Sequence, residues 1–247
     1  MEAGFVKCGV RVEASISGCS CLLLKRLALL GGFKHRPSMP WVSVSPLFTG
    51  GKPLLEWVDG WVDRYTSLRL RLRGWYWFRV GFAGFKDMAL ELCKAVIRGA
   101  RVMGWEGRIE GMEVIGLDEV EEGWGGVWFK LVTPAQFKAL TVAGSLVISN
   151  PSPQLLLRAA LKLLGEEGLG EWVVQVKGGF KPVTAVLDEG RLVWGVVGEG
   201  VLMPLKSAPD RVVRALYKAA MASKYIGVGK SRLSGLGQAE FRLGVSV

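Results

Sequence analysis

The chain has 247 residues, half of them hydrophobic, with 32 Lys and Arg against 22 Asp and Glu for a net charge of +10. That length holds one large domain or two small ones with a real core, and that apolar content excludes a mainly disordered chain. The cationic excess favours a polyanionic partner, and the single histidine, His35, excludes a His-Glu-x-x-His zinc site and any multi-histidine metal centre.

Four cysteines (Cys8, Cys19, Cys21 and Cys93) do not make a disulfide framework in a chain this long. No second Cys or His pair joins Cys19 and Cys21 in a zinc set. A reducing, cytoplasmic setting is expected, with no metal and no cofactor. The most apolar early stretch, 19–33, is too short for a bilayer and carries Lys25 and Arg26, which also break a signal-peptide core. No membrane partner is expected.

In chain order, residues 5–16 alternate loosely and read as a strand. Ser20 reads as the cap of a helix to Leu30, with Gly31-Gly32 as its stop. Residues 41–48 are β-prone, 49–53 form a turn, and 54–62 return as a strand. Residues 67–82 are the clearest strand. Leu68, Leu70, Leu72, Tyr76, Phe78 and Val80 share one parity, and Arg69, Arg71, Arg73, Trp75, Trp77 and Arg79 share the other. Successive strand side chains point to opposite faces, so one face is core-directed and the other cationic and aromatic. A helix over 87–98 and a strand over 105–117 complete a βαββαβ order, the ferredoxin-like arrangement.

The acidic, Gly-rich stretch 118–126 reads as a solvated boundary without metal-ligand spacing. Beyond it, 127–132 is a strand, and 142–148 is a strand possible within an insertion. Asn150 or Ser152 caps a helix to Leu164 that Gly165 stops. Strands follow at 172–177, 183–187 and 192–197, then a helix at 209–223 and a last strand at 238–244. The fold class is therefore α+β, with two tandem ferredoxin-like (βαββαβ) domains spanning 1–120 and 126–247. The duplication rests on element order, since no sequence repeat accompanies it.

Between the last helix and last strand, residues 227–237 hold four glycines together with Lys230, Ser231 and Arg232. Glycine lets backbone N–H groups approach phosphate oxygens, and arginine can grip a phosphate through two N–H bonds. Gly229-Lys230-Ser231 is not a Walker loop, because position 224 is Lys224 instead of glycine and the loop runs from a helix into a strand. A Gly-x-Ser-x-Gly nucleophile elbow is missing as well. From residue 201 onward there are eight Lys and Arg against two Asp and Glu, so most of the net charge lies near this loop. Arg211, Arg214 and Lys218 share a helix face there.

The run Gly227-x-Gly229-x-x-Arg232-x-x-Gly235-x-Gly237 before the last strand is similar to the glycine-rich loop of the RAMP superfamily of CRISPR-associated proteins. Within that superfamily the chain resembles the CRISPR repeat-processing endoribonucleases. Size, basic balance, tandem ferredoxin-like order and the Ser45-Pro46-Leu47 strand after a first helix and a lone histidine agree. The layout matches over nearly the whole chain, while the motif-level match is confined to the loop and the Ser-Pro-Leu strand.

The resemblance implies metal-independent cutting of CRISPR repeat RNA. The 2′-OH attacks the adjacent phosphate, leaving a 2′,3′-cyclic phosphate and a 5′-OH. That chemistry needs a base, an acid and cations. It implies a catalytic role for His35, which lies between Lys34 and Arg36; the residues alone read as a surface histidine in a basic loop. Arg36, by position, and Lys52, by its Gly-Gly turn, are the candidates for the family's lysine. The family's helix tyrosine has no counterpart in 21–30. RNA contacts are expected from Lys34, from Arg69, Arg71 and Arg73, and from Gly227, Gly229, Lys230, Ser231, Arg232, Gly235 and Gly237. Arginines about 7 Å apart along one strand face match successive phosphates. Trp75 and Trp77 either stack on bases or sit under the second domain. A non-catalytic RAMP protein that holds guide RNA in a multi-subunit CRISPR complex is the alternative.

Overall fold

The computed structural model describes residues 1–34, 41–66, 69–120, 125–141, 144–188 and 191–246. The first half runs β1 (Glu2–Ser17), α1 (Cys21–Leu30), β2 (Val42–Val44), β3 (Phe48–Thr49), β4 (Lys52–Pro53), β5 (Glu56–Asp59), β6 (Arg69–Ala83), α2 (Lys86–Val102) and β7 (Gly107–Gly116). The second runs β8 (Gly126–Leu131), β9 (Lys138–Thr141), β10 (Gly144–Val147), α3 (Pro153–Leu164), β11 (Val173–Asp188), β12 (Arg191–Pro204), α4 (Asp210–Ile226) and β13 (Ala239–Val245).

The first sheet has the order β4-β3-β6-β1-β7, with β2 also paired to β6. The second has the order β13-β8-β12-β11, extended at its edge by β5. Both are antiparallel, and each βαββαβ unit carries the ferredoxin-like strand order. The fold class is α+β with two such units in tandem.

The first core lies between the even-numbered side of β1 (Val6, Cys8, Val10, Val12), the matching side of β6 (Leu72, Phe78, Val80, Phe82), α1 and α2. The alternation of β6 is real: Leu72, Phe78 and Val80 are buried while Arg69, Arg71, Arg73 and Arg79 are exposed. Helix α2 carries Asp87 in its first turn and Arg101 in its last, charges that suit the helix dipole. The second core lies under α3 and α4, and it reaches across to Ala3 and Ala83 of the first sheet. Helix α4 thereby joins the halves, with Ser43 Oγ donating to the Tyr225 carbonyl at 2.7 Å and the Phe5 ring tilted against the Tyr225 ring, centroids 6.1 Å apart.

Several sequence expectations change in detail. The strand expected over 54–62 is the shorter β5, Glu56–Asp59, which pairs Val58 with Thr184 and Trp57 with Ala185 and so is an edge of the second sheet. Residues 41–48 are two short strands, broken where Ser45 Oγ accepts from Arg79 N–H at 2.8 Å in place of a ladder partner. The strands expected at 172–177 and 183–187 are one strand, β11, carried past Gly178 at φ +92° by a register shift between Gln175 and Lys177. The expected 142–148 strand is half of a separate hairpin, β9–β10.

Ser20 sits at the start of α1 without capping it. Its hydroxyl donates to the Leu54 carbonyl and accepts from Leu47 N–H, both at 2.8 Å, and so pins the β2–β5 strap instead. Ser152 is the cap of α3, accepting from Leu155 N–H at 3.3 Å, and Gly165 ends that helix at φ +70°. Cys19 and Cys21 form one local disulfide, with both sulfurs against the Ser234 carbonyl. Cys8 and Cys93 are buried thiols, and burial pushes the Cys93 thiol upward. Among the described residues no helix is long and apolar enough to cross a membrane.

Candidate nucleic-acid interface

The glycine-rich loop is built by backbone contacts. Val228 N–H donates to the Gly237 carbonyl, Gly237 N–H to Pro134 and Lys230 N–H to Gln136, each at 2.8 Å. Ser231 takes φ +62°, the one non-glycine with positive φ among the described residues. A short 3-10 turn, Arg232–Ser234, then leads to Gly235 at φ +77°. A side chain at Gly235 would meet Cys21 Sγ at 2.9 Å and Pro46 at 3.0 Å, and one at Gly237 would overlap the Val228 carbonyl.

This divides the loop into two parts. Gly227, Gly235 and Gly237 are buried, and their lack of a side chain lets the loop lie against α1, β2 and its own return strand. Residues 229–234 reach the surface, with Lys230 and Ser231 exposed. The sequence treats the four glycines alike; the structure gives surface placement to Gly229 only.

Arg232 is half-buried, and its Nη1 donates to the Ile226 carbonyl at 3.5 Å. Burial lowers its pKa from the usual value to about 10. It has no carboxylate partner among the described residues. A crowded guanidinium without a counter-charge is a poised anion site, because an arriving phosphate restores what desolvation removed.

The loop also touches the segment that leads to His35. Leu233 and Ser234 share a narrow apolar groove with Leu24, Ala28 and Phe33. Lys34 follows, exposed. His35 and Arg36 lie outside the described residues. Lys52 is exposed at the β3–β4 turn, and its neighbour Gly51 lines a different cleft, shared with Lys224 and Gln238. The groove thus brings Phe33 to the loop, Lys34 next to it lines a separate pocket with Asp87, Glu91 and Arg98, and Lys52 follows Gly51 of the other cleft in the chain.

The cationic face of β6 is the open side of the first sheet. Arg73 lies across from Glu13, Arg71 from Ser15 and Arg69 from Ser17. Trp75 and Trp77 are on this face, and neighbouring strands cover them with cations: Arg108 lies 4.5 Å over Trp75, and Lys7 lies 4.2 Å over Trp77. Arg108 and Lys7 have no sequence signal that places them there, since register alone sets them beside the tryptophans. On α4, Lys218 is drawn into an ion pair with Asp118 at 3.0 Å, while Arg211 and Arg214 are exposed. Among the described residues no group of three His, Cys, Asp or Glu could hold a metal ion.

With that geometry, comparison with solved structures is decisive for the fold. A Cas6 product complex superposes with TM-score 0.68 at 15% identity, covering 97% of this chain and 100% of that one. The fold is that of Cas6. Thermus thermophilus Cas6 matches with TM-score 0.61 at 14% identity over 97% of this chain and 98% of that one. A RAMP protein binding different RNA substrates matches with TM-score 0.54 at 12% identity over 98% of this chain and all of that one. No protein-family model and no curated protein sequence matches the chain.

Proposed function

We propose that this chain binds CRISPR repeat RNA and cuts it without metal, releasing guide RNAs with 2′,3′-cyclic phosphate and 5′-OH ends. The observation that carries the reading is Arg232: a half-buried guanidinium without a carboxylate partner among the described residues, on the surface part of a glycine-rich loop whose next two residues, Leu233 and Ser234, share a groove with Phe33 two positions before His35. The shared fold with a Cas6 product complex supports it.

In this reading Gly229, Lys230, Ser231 and Arg232 hold the phosphate strand. Lys34, Arg69, Arg71 and Arg73 extend the contact. His35 moves a proton at the reacting ribose-phosphate, with Arg36 or Lys52 offsetting charge on the phosphorane. The proton leaves the 2′-OH as that oxygen bonds to phosphorus, and a proton is delivered to the departing 5′-oxygen. Buried Gly227, Gly235 and Gly237 shape the loop.

The test is incubation with the host's repeat RNA in EDTA, followed by end-group analysis. A single cut with a cyclic phosphate end is expected, and its loss in His35→Ala with binding retained supports the assigned role. A requirement for divalent metal would refute the reading. One observation favours a second reading: α1 contains no tyrosine to assist proton transfer. A chain that binds repeat RNA tightly and salt-sensitively, yet never cuts it, is a RAMP scaffold holding guide RNA within a larger CRISPR complex.

A further inference from the structure

A second site lies where α4 and β13 meet the open face of the first sheet. The cleft there measures about 330 Å³, at the small end of ligand pockets, which start at roughly 300 Å³. Its walls combine three features that a packed interface does not need. Lys7 and Arg79 stand directly opposite each other across β1 and β6, and like charges so placed repel. Lys7 is partly offset by Glu110 at 3.5 Å. Exposed Arg79 has no carboxylate partner among the described residues and lies 4.6 Å over the Phe5 ring.

The second feature is an orphan donor. Gln238 lines the cleft, and its Nε2 is the one buried side-chain N or O without a partner among the described residues. Its backbone is fixed: Gln238 N–H donates to Thr133 Oγ1 at 2.9 Å, and its carbonyl accepts from Val132 N–H at 2.8 Å. A buried amide with an unused N–H costs free energy unless an acceptor reaches it. The third feature is Glu240, also lining the cleft. Gln238 and Glu240 flank buried Ala239, so strand alternation sends both to the same side.

Turned toward the cleft, the Gln238 amide would stand on the same side of the strand as the Glu240 carboxylate, and a donor and an acceptor so placed can read a base edge. Guanine presents O6 as acceptor next to N1–H and N2–H, two adjacent donors that one carboxylate can take together. Adenine, cytosine and uracil each present a single donor position on that edge, so they leave a carboxylate oxygen unmatched. Arg79, backed by Phe5, supplies a flat cationic surface for the base, and Lys7 and Lys224 supply charge for its phosphate. Lys224 stands 3.9 Å from Glu113, so it too is only partly neutralised.

The geometry points to this cleft as a pocket for one unpaired guanosine of the bound RNA, read by Gln238 and Glu240. The inference rests on the RNA-binding reading and deepens it. Lys224 and Gln238 bracket the glycine-rich loop in the chain, and the cleft opens on the same sheet face as Arg69, Arg71 and Arg73, so one strand can engage loop, cleft and arginine face together.

The test uses uridine decamers with a central G, A or C, or none, 2′-O-methylated throughout so that no strand is cut, and reads fluorescence anisotropy. The wild-type protein binds the G strand about tenfold more tightly than the others. Gln238→Leu removes that preference while affinity for the plain uridine strand stays within about threefold, and Glu240→Gln narrows it. Absence of a G preference in the wild-type protein, with salt-sensitive binding intact, overturns this inference and leaves the RNA-binding reading standing. Absence of binding to every strand overturns this inference, and absence of binding to repeat RNA as well overturns both. A preference that survives in both variants also overturns it, as does free 5′-GMP competing as well as the G strand. Should Gln238→Leu fail to fold, the wild-type comparison and Glu240→Gln decide the matter.

Discussion

Replacing Arg232 by alanine separates binding from folding. In the structure its guanidinium makes one 3.5 Å bond to the Ile226 carbonyl and forms no ion pair among the described residues, while burial already lowers its pKa to about 10. The folded protein therefore gains little from this charge. Stability is expected to stay within about 0.5 kcal/mol of the parent, roughly 2 °C in Tm for a chain of this size. RNA affinity behaves differently. A charged hydrogen bond to phosphate is worth about 1.5–3 kcal/mol, so Kd rises by roughly ten- to a hundredfold at low salt. Losing one phosphate contact also lowers the slope of log K against log salt by ~0.7 for a single strand. The assay is anisotropy of labelled repeat RNA across a KCl series, with a melting curve on the same preparation. An unaltered salt slope, or a collapse of Tm that accounts for the lost affinity, refutes the assignment of Arg232 to a phosphate.

Gly235→Ala meets Cys21 Sγ and Pro46 from a backbone at φ +77°, and a melting curve should show a loss of about 1–3 kcal/mol, with RNA affinity falling alongside it. Ser152→Ala removes the α3 cap and should cost about 1 kcal/mol in urea denaturation while repeat RNA binding stays unchanged. The amino terminus and then Lys218 hold the Asp118 carboxyl at about 2, below its usual 3.8. Because the folded value is the lower one, this contribution is complete above the unfolded value and disappears as pH falls through about 2. The urea midpoint of the wild-type protein should therefore exceed that of Asp118→Asn at pH 7, and the gap should close as acid approaches pH 2.

Local patterning carried the parts of this fold that depend on one element at a time. The alternation along β6 marked its buried and exposed faces from Leu72 onward, while Leu70 of the apolar parity is exposed and Leu68 lies outside the described residues; the Ser152 and Gly165 signals bounded α3, because a helix's two ends are decided by nearby residues. The candidate site was legible to the same degree. Glycine spacing located the loop, but chain order could not tell buried Gly227, Gly235 and Gly237 from surface Gly229, since Gly227 and Gly237 are buried by the loop folding back on itself and Gly235 by Cys21 and Pro46 across the fold. Residue type alone offers Trp75 and Trp77 either bases or the second domain to pack on; the structure adds Arg108 and Lys7 from adjacent strands over the rings and sets Trp77 in a cleft with Tyr225 and Gln238 of the second half. Ser20 looked like a helix cap and is instead a clamp on Leu47 and Leu54, partners that no window around residue 20 contains.

The order of elements, the amphipathic faces and the cationic, glycine-rich loop are properties of the sequence alone, because each follows from backbone periodicity or from residue type. Tertiary structure alone decided that β5 crosses to the second sheet, that Arg232 is desolvated without a counter-charge among the described residues, and that Gln238, Glu240, Lys7 and Arg79 surround one cleft. Those outcomes are meetings of distant residues. They are settled by which strand edges and helix faces bury the most apolar surface together, a choice made by the whole chain at once.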